Sequence, residues 1–178
     1  MGSETRREPP YAPEAERALA SAVLCGTLQP PDLGDWTKPE EFYGLPERLI
    51  VEAAIELHGK GQSIDATTVS GQLRASGRLE QIGGNAVLLE MLEAPYIHNA
   101  RDYARQVREC YQRRRVIAIA QLIAAEGYSP QADHVAWLGT VERRLLQATA
   151  SEGGEVPTLT MAEMLGKLYE SLTERHSE

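Results

Sequence analysis

Residues 99–126 contain neither Gly nor Pro, and their second half, VIAIAQLIAA at 116–125, is apolar on nearly every side of a helix apart from Gln121. Such a stretch predicts one long helix, and a helix that is apolar all round has to be buried all round. A turn at Gly127, Tyr128, Ser129 and Pro130 follows, with Ser129 as the expected N-cap and Pro130 at the next position. Beyond it Leu138, Val141, Leu145 and Ala148 recur on one helical face. Two long helices joined by a short turn predict an αα-hairpin. Each arm can cover only one face of the other. The excess apolar surface therefore predicts packing against another subunit in preference to the rest of the chain. Val116, Ile119, Ile123, Leu138, Val141 and Leu145 are the candidate oligomer-interface residues.

The preceding segment predicts a small helical globule. Aromatics are 6% of the chain, with one Phe, so the core is expected to be aliphatic. Pro13 opens a helix carrying Ala15, Ala18, Leu19, Ala22 and Val23 on one face, with Gly26, Pro30 and Pro31 as its expected stop. Thr37 and Glu40 are spaced as a capping box around Pro39. Pro46 precedes a second stripe of Leu49, Ile50, Ala53, Ala54 and Leu57. Asp65 is the expected cap of a helix that stops at Gly77, and Gly83 and Gly84 precede another over residues 85–93. No stretch alternates with period two for long enough to predict a strand. After the hairpin, a Gly- and Glu-bearing linker leads to a last helix opened by Thr160 and Glu163, with Met161, Leu165, Leu168 and Leu172 as its stripe. The expected organisation is all-α: a disordered lead-in over 1–10, a globule over 11–97, a hairpin over 98–149, a linker over 150–158, and a detached linker helix and tail over 159–178.

Several chemistries are disfavoured. A P-loop needs Gly-x4-Gly-Lys-Ser/Thr so that backbone N–H groups wrap the phosphates. Lys60 and Lys167 follow a glycine, but Gly61 and Leu168 come next, and Ala54 and Met161 stand where the first glycine belongs. The histidines 58, 98, 134 and 176 have no metal-ligand spacing. No catalytic, cofactor or metal residues are therefore expected. Cys25 and Cys110 fall in apolar helical patterns and are expected to be reduced core residues of a cytoplasmic protein. No run approaches the length of a membrane span. The net charge of −8 repels phosphate. One segment departs from that balance. Arg101, Arg105, Arg108, Arg113, Arg114 and Arg115 against Asp102 and Glu109 net +4, leaving −12 on the rest of the chain. They form a candidate basic patch, which a solvated helix flank would also explain.

The order of several short blocks resembles the N-terminal domain of DnaB-type replicative helicases. Pro13, Glu14, Ala15 and Glu16 lead into Leu19 and Val23, followed by Pro39, Glu40, Glu41, Phe42 and Tyr43. Arg48, Leu49 and Ile50 precede Ala54, Ile55, Glu56, Leu57 and Gly61. Ile64 and Asp65 precede Thr68, Val69 and Leu73, with Gly77, Leu79, Gly83 and Gly84 after them. Asn99, Tyr103, Ala104, Val107 and Arg108 stand where that family enters its hairpin. The resemblance covers about residues 9–150 and, more loosely, reaches 175. Ala20, Ser21 and Ala22 replace a usual Gly-containing stretch, residues 94–99 vary the loop before the hairpin, and no RecA-like motor follows within this chain.

The resemblance implies a non-catalytic collar domain that oligomerises, as a dimer or higher assembly, and docks primase or a helicase loader in DNA replication. The helix over 160–175, with Met161, Leu165, Leu168 and Leu172, corresponds to the family's linker helix, which packs on the motor of a full-length helicase. Weak or no direct DNA binding and no membrane contact are expected. A stand-alone paralogue acting as adaptor or inhibitor, and a helical DNA-binding regulator using the basic patch, are the alternatives.

Overall fold

The computed structural model describes residues 8–93, 99–129 and 133–149. Among these every regular element is helical. The chain divides into two compact units, Met1–Glu126 and Gly127–Glu178. The expected linker, and the last helix with Met161, Leu165, Leu168 and Leu172, lie outside the described residues, as do 94–98 of the loop before the hairpin.

In the first unit, helix α1 (Pro13–Leu24) starts on a proline, whose missing N–H has no partner to lose in a first turn. Nine of its twelve residues are buried. It stops at Cys25, and Gly26 takes the left-handed conformation at φ 72°. Pro30 and Pro31 do not merely end it: they open a short helix, α2 (Pro30–Gly34), because proline's fixed φ suits a first turn. Leu33 of that turn is fully enclosed. The capping pair around Pro39 is shifted by one residue from the expected Thr37 and Glu40. The turn Pro39–Glu41 is a single 3-10 turn. The Glu41 carboxylate accepts from the Lys38 N–H at 3.4 Å and from the Thr37 hydroxyl at 2.7 Å. Proline at the first position makes residue 41 the third, the place from which a side chain reaches back.

Helix α3 (Leu45–Gly59) is the centre of the globule and buries Leu49, Ile50, Val51, Ala53, Ala54 and Leu57. It packs on α1 and on helix α4 (Ala66–Ala75), while α1 also meets helix α5 (Gly84–Leu92). Asp65 caps α4 as expected, its carboxylate accepting from the N–H groups of Thr67 and Thr68 at 2.8 and 2.9 Å. Those bonds hold its pKa below the ordinary aspartate value. Helix α6 (Ala100–Gly127) sends Ala104 and Val107 into the same core.

The second unit contains helix α7 (His134–Thr149). Its start differs from the expected Ser129 and Pro130. Asp133 accepts from the Ala136 N–H at 3.0 Å and takes the capping role. The cysteines also depart from expectation. Both are free thiols, but Cys25 is exposed and Cys110 is partly exposed, so neither belongs to the core. Periodicity placed them on helices; their position at a helix end and on a helix flank decides their exposure.

Candidate assembly surface

Helix α6 changes character along its length. Its buried residues, Ala104 and Val107, both lie in the first third. Beyond Arg115 the apolar residues face solvent in the isolated chain: Val116, Ile117 and Leu122 are exposed, and Ile119 and Ile123 are half-buried. A helix of this length rises about 42 Å at 1.5 Å per residue. In the second unit, α7 exposes Val135, Leu138, Leu145 and Leu146, leaves Val141 half-buried and encloses Ala148. Of the six expected interface residues, three are exposed and three half-buried. Water therefore meets aliphatic side chains on the distal part of α6 and, in the second unit taken by itself, on α7. Exposed apolar surface of this kind is a candidate contact surface.

The root of α6 is held by polar contacts. The Arg114 guanidinium donates to the carbonyls of Pro10 and Glu41 at 2.8 and 2.6 Å. It also sits 5.1 Å from the centroid of the Tyr43 ring and 5.8 Å from that of Tyr111. Tyr43 in turn meets Tyr11, centroid to centroid at 5.1 Å. Arg108 lies 3.8 Å from the buried Glu41 carboxylate. Two arginines of α6 thus grip residue 41, one by its side chain and one by its main chain. Pro10, expected at the end of a disordered lead-in, is one of the acceptors.

Beneath this root lies Glu16, a fully buried carboxylate in the apolar face of α1. Its Oε1 accepts from the Tyr43 N–H at 3.0 Å, and its Oε2 accepts from the Tyr43 and Gly44 N–H groups at 2.9 and 2.8 Å. Those donors lead into α3, where a negative charge also meets the positive end of the helix dipole. Burial nevertheless pushes the Glu16 pKa up, against the pull of the two N–H groups and of Arg114. Burial, together with the carboxylates of Glu47 and Glu16, pushes the Tyr11 hydroxyl up to about 12. A Cβ at Gly44 would stand 2.1 Å from Glu47 Oε2, so the Glu47 side chain would have to turn aside to admit one.

The candidate basic patch is not one surface. Arg114 is committed to the root, and Arg115 sits 5.8 Å from the Tyr111 ring centroid. Arg113 is exposed. Arg101, Arg105 and Arg108 line a separate cleft. Sequence reasoning assigned no contact to Glu16, Tyr11 or Tyr43. The readable signal was a glutamate at position 16 inside the apolar stripe that joins Ala15, Leu19 and Val23. Among the described residues no group of three or more His, Cys, Asp or Glu is placed to hold a metal ion. No described helix is long and apolar enough to cross a membrane.

The DnaB-like helicase N terminal domain family matches residues 8–109, more than half of the chain. The chain belongs to that family. The replicative DNA helicase DnaB of Geobacillus stearothermophilus is 32% identical over 146 residues, covering 82% of this chain and 32% of the relative. The replicative DNA helicase DnaC of Bacillus subtilis is 27% identical over 175 residues, covering 96% and 38%. The chain thus spans about a third of the length of these curated relatives. The crystal structure of the N-terminal domain of DnaB helicase from Mycobacterium tuberculosis superposes with a TM-score of 0.73 at 26% identity, covering 79% of this chain and 99% of that one. A DnaB-like replicative helicase described together with its interactions with primase shares the fold at a TM-score of 0.60 and 22% identity, covering 91% of this chain and 35% of that one.

Proposed function

We propose that this chain serves as an oligomerisation and protein-docking domain of a DnaB-type replicative helicase, acting in DNA replication in the cytoplasm. The observation that carries the reading is the division of α6. Its first third sends Ala104 and Val107 into the core, while residues 116–125 hold aliphatic side chains that the isolated chain leaves wholly or half in water. A second copy of the chain is the proposed occupant, with Val116, Ile119, Ile123, Leu138, Val141 and Leu145 in the seam. The family membership supports this, as do relatives that are replicative helicases. Two structural neighbours are described with primase interactions, and primase or a helicase loader is the proposed heterologous partner. The last segment, with Met161, Leu165, Leu168 and Leu172, is proposed to dock on a full-length helicase subunit. ATP-driven unwinding is not proposed for these 178 residues, which contain no P-loop sequence.

Light scattering tests the seam. Wild-type protein at tens of micromolar should have a mass of at least two chains, and Ile119→Asp should bring it to one while the far-UV spectrum stays helical. A buried unpaired carboxylate costs several kcal/mol, enough to dissolve such a contact. A strictly monomeric wild type would overturn the reading.

A further inference from the structure

A cleft of about 370 Å³ lies between the end of α2 and the first turns of α6, lined by Asp35, Trp36, Arg101, Asp102, Arg105 and Arg108. Its two walls differ in chemistry. One is the half-buried indole of Trp36, packed against the core and flanked by Asp35. The other is a row of guanidiniums on one face of α6, at helical spacings of four and three. Arg105 pairs with Asp102 at 3.3 Å with both side chains more than half exposed, an arrangement that a competing carboxylate can replace at little cost. Arg101 is exposed and forms no ion pair with a described residue. The cleft therefore offers cationic donors, carboxylate acceptors and an aromatic face together.

We propose that this cleft binds an extended acidic peptide segment of a partner protein, with carboxylates at alternate positions meeting Arg101 and Arg105 and the intervening apolar side chains turned to Trp36. The spacing fits. Arg101 and Arg105 are separated by about 6 Å along the helix axis. Alternate residues of an extended chain are about 6.7 Å apart and point the same way, while the residues between them point to the opposite wall. Asp35 and Asp102 distinguish this ligand from nucleic acid. A phosphodiester backbone carries only acceptors and offers these two carboxylates nothing, whereas a peptide backbone supplies N–H donors to them. Bidentate guanidinium–carboxylate pairing provides the orientation.

The probe is the acetylated, amidated peptide Gly-Asp-Phe-Asp-Phe-Asp-Gly, added to the 178-residue chain carrying Trp137→Phe, in which Trp36 is the sole indole. A saturable change in Trp36 emission is expected, weakening with salt. Replacing the three Asp of the probe by Asn should abolish it. Arg101→Glu/Arg105→Glu should weaken it at least tenfold, and Arg101→Gln/Arg105→Gln nearly as much. Both arginines are exposed, so far-UV circular dichroism should be unchanged. No saturable change, equal binding of the Asn peptide, or undiminished binding by well-folded variants would overturn the proposal. Tighter binding of an oligothymidylate of equal charge would overturn it too, and would make the cleft a nucleic-acid site.

Discussion

The Arg114 guanidinium donates to the main-chain carbonyl of Glu41 at 2.6 Å, tying the middle of the long helix α6 to the turn before α3. A carbonyl accepts from any donor, so the contact depends on position alone. The same group reaches the carbonyl of Pro10 at 2.8 Å. One planar fork thus satisfies two main-chain acceptors far apart in sequence.

Arg114→Ala should accordingly lower the unfolding free energy by about 2 kcal/mol, the usual scale for losing hydrogen bonds made by a charged donor. Arg114→Lys should recover less than half of that, because one ammonium does not reproduce the fork. Urea denaturation of both variants measures it. An unaffected midpoint in Arg114→Ala would show that Ala104, Val107 and the Arg108–Glu41 pair hold the root without it.

Glu16 should govern part of the pH dependence of stability. Its folded pKa is raised, chiefly by burial. The native state therefore holds this proton more tightly than the unfolded state does. The contribution is fully present below the ordinary glutamate pKa and is lost as pH rises through the raised folded value. Glu16→Gln should remove that component of the slope. Glu16→Ala should cost about 3 kcal/mol at neutral pH by leaving the Tyr43 and Gly44 N–H groups without their acceptor. Denaturation across a pH series reads both.

Asp65 should act with the opposite sign. Its folded pKa is lowered, first by the Thr68 N–H bond. Its contribution is present above the ordinary aspartate pKa and lost as pH falls through the lowered folded value. Asp65→Ala should destabilise the protein at neutral pH, and the difference from wild type should vanish in acid. A difference independent of pH would mean that the cap works through conformation rather than charge.

Core and surface leucines should separate under dilution. Leu73 is fully enclosed, so Leu73→Ala should cost about 3 kcal/mol at every protein concentration. Leu122 is exposed in the isolated chain. Leu122→Ser should leave dilute protein almost unchanged, yet weaken the rise of melting temperature with concentration that assembly produces.

Much of this domain is legible in local chemistry. Pro13 and Pro46 at helix starts, Asp65 at a cap, Gly26 and Gly77 past helix ends, and the stripe from Leu49 to Leu57 all act within a few residues. Their consequences appear as period and punctuation in the chain. Residues 99–126 likewise admit little besides a helix, and the order of the blocks marked the family. What the sequence did not determine is what touches what across distance. Pro30 and Pro31 read as a stop, and only the packing of Leu33 into the core shows that they also start a helix. The reach of Arg114 to Pro10 and Glu41, and the clamp of Glu16 on Tyr43 and Gly44, join residues up to 104 positions apart. A carboxylate in an apolar stripe signals that a partner exists, but main-chain N–H groups are the same at every position. Only the packing of α1 against the turn before α3 could say which of them it holds.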